Sequence, residues 1–115
     1  MKKLHSRCRK LPGVTEDIKW GCDLVFSVGG KMFAVFGPHD KGPVYFSFKA
    51  TPVEFARLTT APGFIPAPYL AKQHWVGVVD KKVAALPEIP QLLESSYRLV
   101  AAKLSKKLQR ELGLL

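Results

Sequence analysis

Three histidines and two cysteines are the residues best suited to catalysis or metal binding, and their spacing favours neither. His5, His39 and His74 stand far apart, and none sits in HExxH or beside a second histidine at metal-ligand spacing. Cys8 and Cys22 are too few for a disulfide framework and are not spaced as CxxC, which predicts free thiols in a reducing cytoplasm. A Cys22–His74 pair is conceivable in space, but no neighbouring residue activates the thiol. Cys22 is expected to pack near a strand start and His74 to lie at a strand end. The adjacent Glu16 and Asp17 diverge on any regular element, which predicts a solvated turn rather than paired catalytic carboxylates. Gly29-Gly30-Lys31 is not a phosphate loop, which needs GxxxxGK[ST] between a strand and a helix. The sequence therefore predicts a non-catalytic protein with no metal and no cofactor.

Its cations say more. The net charge is +9 over 115 residues, yet residues 11–97 carry eight Lys/Arg and eight Asp/Glu. The excess lies at the two ends. Lys2, Lys3, Arg7, Arg9 and Lys10 come first with no acid among them, and Arg98, Lys103, Lys106, Lys107 and Arg110 come last against Glu111. Segregated like charges focus a field that scattered ones would cancel, and the natural partner is a polyanion. Lysines near a helix C-terminus also favour the macrodipole and keep a protein soluble, so phosphate contact and solubility both account for them.

Aromatic residues add a second theme. Phe26, Phe33, Phe46 and Phe48 fit inward strand positions and are expected in the core, whereas Tyr45 and Lys49 share an outward face. Trp75 follows Lys72 by three residues, with His74 between them. An aromatic beside a cation at a strand entrance either contacts nucleic acid or covers the sheet edge.

Apolar residues at 47% and charged residues at 23% are the composition of one folded soluble domain over residues 1–115. No stretch approaches the ~18 apolar residues of a membrane span. The basic N-terminus has no apolar run behind it, which predicts no secretory signal and a cytoplasmic location.

The elements that would position these residues follow from periodicity. Residues 1–10 are a basic segment too short to assign alone and compatible with a frayed helix, closed by Leu11-Pro12-Gly13. Alternation over Leu24–Val28 and Lys31–Phe36 around Gly29-Gly30 predicts a two-residue hairpin that pairs Phe26 with Phe33 and Leu24 with Val35. A loop over residues 37–43 leads to a strand over Val44–Lys49. Thr51-Pro52-Val53-Glu54 is a capping box and opens a short helix. Residues 64–73 are proline-broken and extended. Residues 74–79 form a strand, and Asp80-Lys81-Lys82 turns it toward Val83. A last helix runs from Pro90 to about Leu112 with Leu93, Tyr97, Val100, Leu104 and Leu108 on one stripe, and Lys103, Lys106, Lys107 and Arg110 on the neighbouring flank. The order is α-β-β-β-α-β-β-α, an α+β domain with an antiparallel sheet.

With these segments placed, the chain resembles the MmcQ/YjbR-like family. The resemblance rests on Leu11–Asp17 with Trp20-Gly21, and on Val25–Ala34. It continues through Pro66–Tyr69 with Trp75-Val76, then Glu94–Val100 with Ala102–Leu104. It implies the same α+β order, an architecture similar to secretion-chaperone-like domains, and a small cytoplasmic bacterial protein that binds DNA through a pair of β-hairpin "wings". Gly29-Gly30 and Lys31 would then lie at a wing tip. Family members commonly have a fuller first helix, and many carry asparagines where this chain has Ala71 and Val76, so the resemblance implies phosphate contact more than base reading.

Three functions are expected in descending order. The first is a DNA-binding module in which Lys2, Lys3, Arg7, Arg9, Lys103, Lys106, Lys107 and Arg110 grip the backbone. Lys31 on its hairpin, or the segment of Lys72, His74 and Trp75, would enter a groove, with Lys49 on the adjoining face. The second is a protein-binding adaptor that uses a sheet edge or the groove beside the last helix. The third is an enzyme centred on Cys22 or His74.

Overall fold

Alternating apolar residues and tight glycine turns build one antiparallel sheet. The computed structural model describes residues 1–21, 23–37, 44–68 and 70–115. Cys22, His39 and most of the 37–43 loop lie outside them, so the Cys22–His74 pairing does too. Six strands, β1 (Val14–Lys19), β2 (Asp23–Val28), β3 (Lys31–Phe36), β4 (Phe46–Lys49), β5 (Phe64–Pro66) and β6 (Trp75–Val78), lie in the order β1-β2-β3-β4-β6-β5. Helices α1 (Lys2–Arg9), α2 (Pro52–Leu58), α3 (Lys81–Ala84), α4 (Ile89–Ala102) and α5 (Lys106–Glu111) complete the α+β architecture.

The expected Thr51 cap is present, with the Glu54 N–H donating to Thr51 Oγ1 at 3.1 Å to start α2, while the Glu54 carboxylate accepts from Arg57 instead of closing a full capping box. The Gly29-Gly30 hairpin is present too, with Val28 opposite Lys31. Its expected register holds only at the tip. Ser27 faces Met32, but Phe26 faces Ala34 and Leu24 faces Phe36, because a bulge leaves Phe33 without a partner on β2. Phe33 and Ala34 are both fully buried, and the extra residue lets two consecutive apolar side chains leave solvent.

Four other expectations are corrected. Residues 1–10 are a seated helix, with Leu4 and Cys8 of α1 buried in the core. Glu16 and Asp17 lie on an edge strand, not in a turn, and Glu16 accepts two hydrogen bonds from the Arg9 guanidinium. After β6, Asp80 caps the short α3 by accepting from the Lys82 N–H, so the strand's hairpin-side partner is β5, which precedes it. The last helix breaks at Lys103–Ser105: Ser105 Oγ accepts the Leu108 N–H and begins α5 as a new helix. The apolar stripe continues across this break, which is why periodicity reads it as one helix.

Phe26, Phe33, Phe46 and Phe48 are fully buried as expected, under Leu4 and Cys8 of α1 and Leu93, Tyr97 and Val100 of α4. Tyr97 meets Phe33 edge to face at 5.4 Å, and its hydroxyl donates to the Pro12 carbonyl. That bond ties the Leu11-Pro12-Gly13 turn to α4.

Candidate functional site: a lysine-lined cavity beside a wedged-open sheet

The site begins with a serine. Ser96 of α4 is fully buried; its hydroxyl donates to the Phe33 carbonyl at 2.6 Å and accepts the Lys49 N–H at 2.9 Å. The last β3–β4 pair is Ala34 with Phe48, so Phe33 and Lys49 would form the next one. Instead the Ser96 hydroxyl stands between them and relays the bond. Beyond it the two strands have no ladder to close them, while Lys49 stays paired with Trp75 on the other side.

A cavity of about 450 Å³ occupies the opening. Lys31 and Met32 line it from β3, Lys49 from β4, and Trp75 from β6. Gln73 enters from a 3-10 turn (Ala71–Gln73), and Val100, Lys103 and Leu104 close it from the end of α4. His74 at φ 64° swings the chain from that turn into β6. The helix break has its own part here, because it folds Leu104 and Leu108 onto Gly29, where an added Cβ would meet Leu104 at 2.7 Å. The hairpin tip is thus seated against the helical end rather than projecting as an isolated wing.

The electrostatics are one-sided. Lys31, Lys49 and Lys103 come from three separate segments, and none of the eight described residues lining the cavity is acidic. Lys49 and Lys103 line the same cavity and lie close enough for their charges to interact. Burial first, and the Lys103 charge second, hold the Lys49 ammonium below the usual lysine range. Two ammonium groups so placed repel, and an anion between them would relieve the repulsion.

The structure divides the cations singled out in the sequence into two sets. Lys31, Lys49 and Lys103 line the cavity with Trp75, exposed Lys72 adjoins Gln73, and exposed Lys106, Lys107 and Arg110 follow Lys103 on α5. Lys2, Lys3, Arg7 and Arg9 are on α1, which packs against β1 and α4. His5 of α1 meets Phe36 edge to face, at the opposite end of β3 from Lys31. Arg9 is occupied by Glu16 and lies over the Phe26 ring. His74 is turned away onto Phe55 at 5.5 Å and does not line the cavity. Met32 and Gln73, whose side chains carry no sequence signal of a binding role, also line the cavity, together with Val100 and Leu104, which the sequence marks only as members of the apolar stripe.

A second groove of about 350 Å³ runs between α2 and α4, walled by Phe48, Ala50, Leu92, Leu99 and Ala102. Among the described residues no group of three His, Cys, Asp or Glu could hold a metal ion, and no helix is long and apolar enough to cross a membrane.

Comparison with known proteins places this geometry in context. The family model described as YjbR matches residues 9–99. The crystal structure of a protein from Pseudomonas syringae superposes with a TM-score of 0.66 at 21% identity. The match covers 86% of this chain and 97% of that one, a likeness of fold. Among curated proteins there is no match.

Proposed function

The chain belongs to the YjbR family, and from that premise we propose that it is a non-catalytic DNA-binding protein of the cytoplasm that grips the phosphate backbone with modest sequence preference. The observation that carries this reading is the convergence of Lys31, Lys49 and Lys103 on one cavity with no acidic residue among those lining it. Exposed Lys72 precedes Gln73 in the chain, and exposed Lys106, Lys107 and Arg110 follow Lys103 on α5.

Binding of this kind is driven by release of counterions from the nucleic acid, so affinity falls steeply with salt. Fluorescence anisotropy of a labelled random-sequence duplex, at about 50 and about 200 mM salt, tests it. The expected result is micromolar binding, with a log–log slope corresponding to roughly three or more phosphates. Absence of binding at the lower salt overturns the reading.

The α2–α4 groove favours a second reading, a protein-binding adaptor, since it sets apolar Phe48, Ala50, Leu92, Leu99 and Ala102 among polar Lys49, Thr51, Glu54, Ser95 and Arg98, a mixture that suits an amphipathic peptide. Failure of duplex binding combined with saturable binding of an amphipathic helical peptide, abolished by Leu99→Lys, would establish that alternative.

A further inference from the structure

The cavity is built differently from the exposed surface around it. Backbone phosphates on a duplex are monoanionic diesters on a convex surface, which flexible exposed lysines reach well. The opening beyond Ser96 has Trp75, only 4% exposed, as one wall and half-buried Lys49 beside it, with exposed Lys31 and Lys103 at its rim. Lys49, Lys103 and Lys31 all line it, and the charges of Lys49 and Lys103 interact. Three cations around one small volume are best neutralised by a ligand that concentrates more than one negative charge and several acceptor oxygens at a single centre. A phosphate monoester does so, with roughly −1.5 to −2 charges and three acceptor oxygens near neutral pH, whereas a diester offers one charge. The volume is within the range of small-ligand pockets, ~300–1,000 Å³, and exceeds what a phosphate group alone fills. The remaining wall, from Trp75, Met32 and Leu104, is apolar and suits a flat organic body beside the phosphate.

We propose that this cavity is a receptor for a phosphate monoester carried on a flat organic group, as found at a 5′-phosphorylated strand end or on a nucleoside monophosphate. The proposal rests on reading the Lys31–Lys49–Lys103 face as anion-binding. It does not require duplex affinity.

Trp75 reports directly on occupancy once Trp20, the other tryptophan, is replaced by phenylalanine. The full-length Trp20→Phe protein is titrated with a 5′-phosphorylated short single strand, the same strand with a 5′-hydroxyl, and a nucleoside 5′-monophosphate. The expected result is a saturable change in Trp75 emission with the phosphorylated ligands and at least a tenfold weaker response to the 5′-hydroxyl strand. Lys49→Gln and Lys103→Gln should each weaken the phosphorylated ligands by about tenfold or more, the loss of a charge-assisted hydrogen bond. Both variants should melt no lower than the parent, since each removes a repelling charge, and that separates lost binding from lost fold. A strand end bound tenfold tighter than the monophosphate identifies nucleic-acid termini as the source, and equal affinity identifies the free nucleotide. Equal responses to the 5′-phosphate and 5′-hydroxyl strands would overturn the proposal, as would no response or unchanged affinity in both lysine variants. The labelled duplex of the proposed function, prepared here with unphosphorylated ends, can still bind in that event, so the two readings fail separately.

Discussion

Removing the Ser96 hydroxyl leaves the Lys49 N–H and the Phe33 carbonyl unpartnered between β3, β4 and α4. Ser96→Ala should therefore cost about 1–3 kcal/mol in urea denaturation, the penalty of unpaired buried backbone groups. A cost below ~0.5 kcal/mol would mean that the strands close and restore their own ladder, and phosphate binding should then be lost as the cavity shuts. His5 makes a different kind of prediction. Its buried Nε2 has no partner and its ring packs on Phe36 at 4.5 Å. Burial, then the N-terminal amine and Arg9, lower its pKa below 6.5, against a smaller opposing effect of Glu16. In the window between that lowered pKa and 6.5 the unfolded chain binds more protons than the folded one, so stability falls as pH falls through it. Above it the histidine is neutral in both states and contributes no slope. Thermal melts at pH ~7.5 and ~5.5 should show a larger loss for the wild type than for His5→Phe, and equal losses would contradict the assignment.

At the scale of elements, the hairpin tip and the helix break depend on each other. Gly29 (φ 58°) and Gly30 (φ 79°) both need the left-handed region, but only Gly29 faces Leu104 and Leu108; an added Cβ on Gly30 meets nothing within 4 Å. Gly29→Ala should thus cost about 1 kcal/mol or more beyond Gly30→Ala, from overpacking added to a shared backbone strain. Equal costs would show that the α5 segment is not held against the tip. Local signals made the hairpin and the Thr51 cap readable in the sequence, because turn glycines and capping oxygens act within a few residues. The edge strand β1 was not readable: residues 15–18 are all exposed, so no apolar alternation marks them. Nor was the break at Ser105, since Val100, Leu104 and Leu108 keep helical spacing across it. The candidate site was half legible. Outward-facing Lys49 and the Lys72–Trp75 segment stand out in the sequence, but their meeting with Lys31 and Lys103 depends on Ser96, which is 63 residues from Phe33 and 47 from Lys49. Periodicity carries no information about a wedge of that range.

Over the whole molecule, a net charge of +9 guarantees some salt-dependent attraction to any polyanion. What distinguishes the present account is geometry: one set of cations converges on the wedged-open cavity, while the other lies along α1 toward the far end of β3. Two triple variants separate geometry from charge, because Lys31→Gln/Lys49→Gln/Lys103→Gln and Lys2→Gln/Lys3→Gln/Arg7→Gln each remove three positive charges. The decisive measurement is duplex affinity of both, by anisotropy across a salt series from about 50 to about 200 mM. The cavity variant should lose about tenfold or more in affinity, and its log–log slope should fall by about two to three units, whereas the α1 variant should change by less than about threefold. Equal losses in the two variants would reduce the interaction to net charge, and a larger loss in the α1 variant would place the nucleic-acid face on α1 instead.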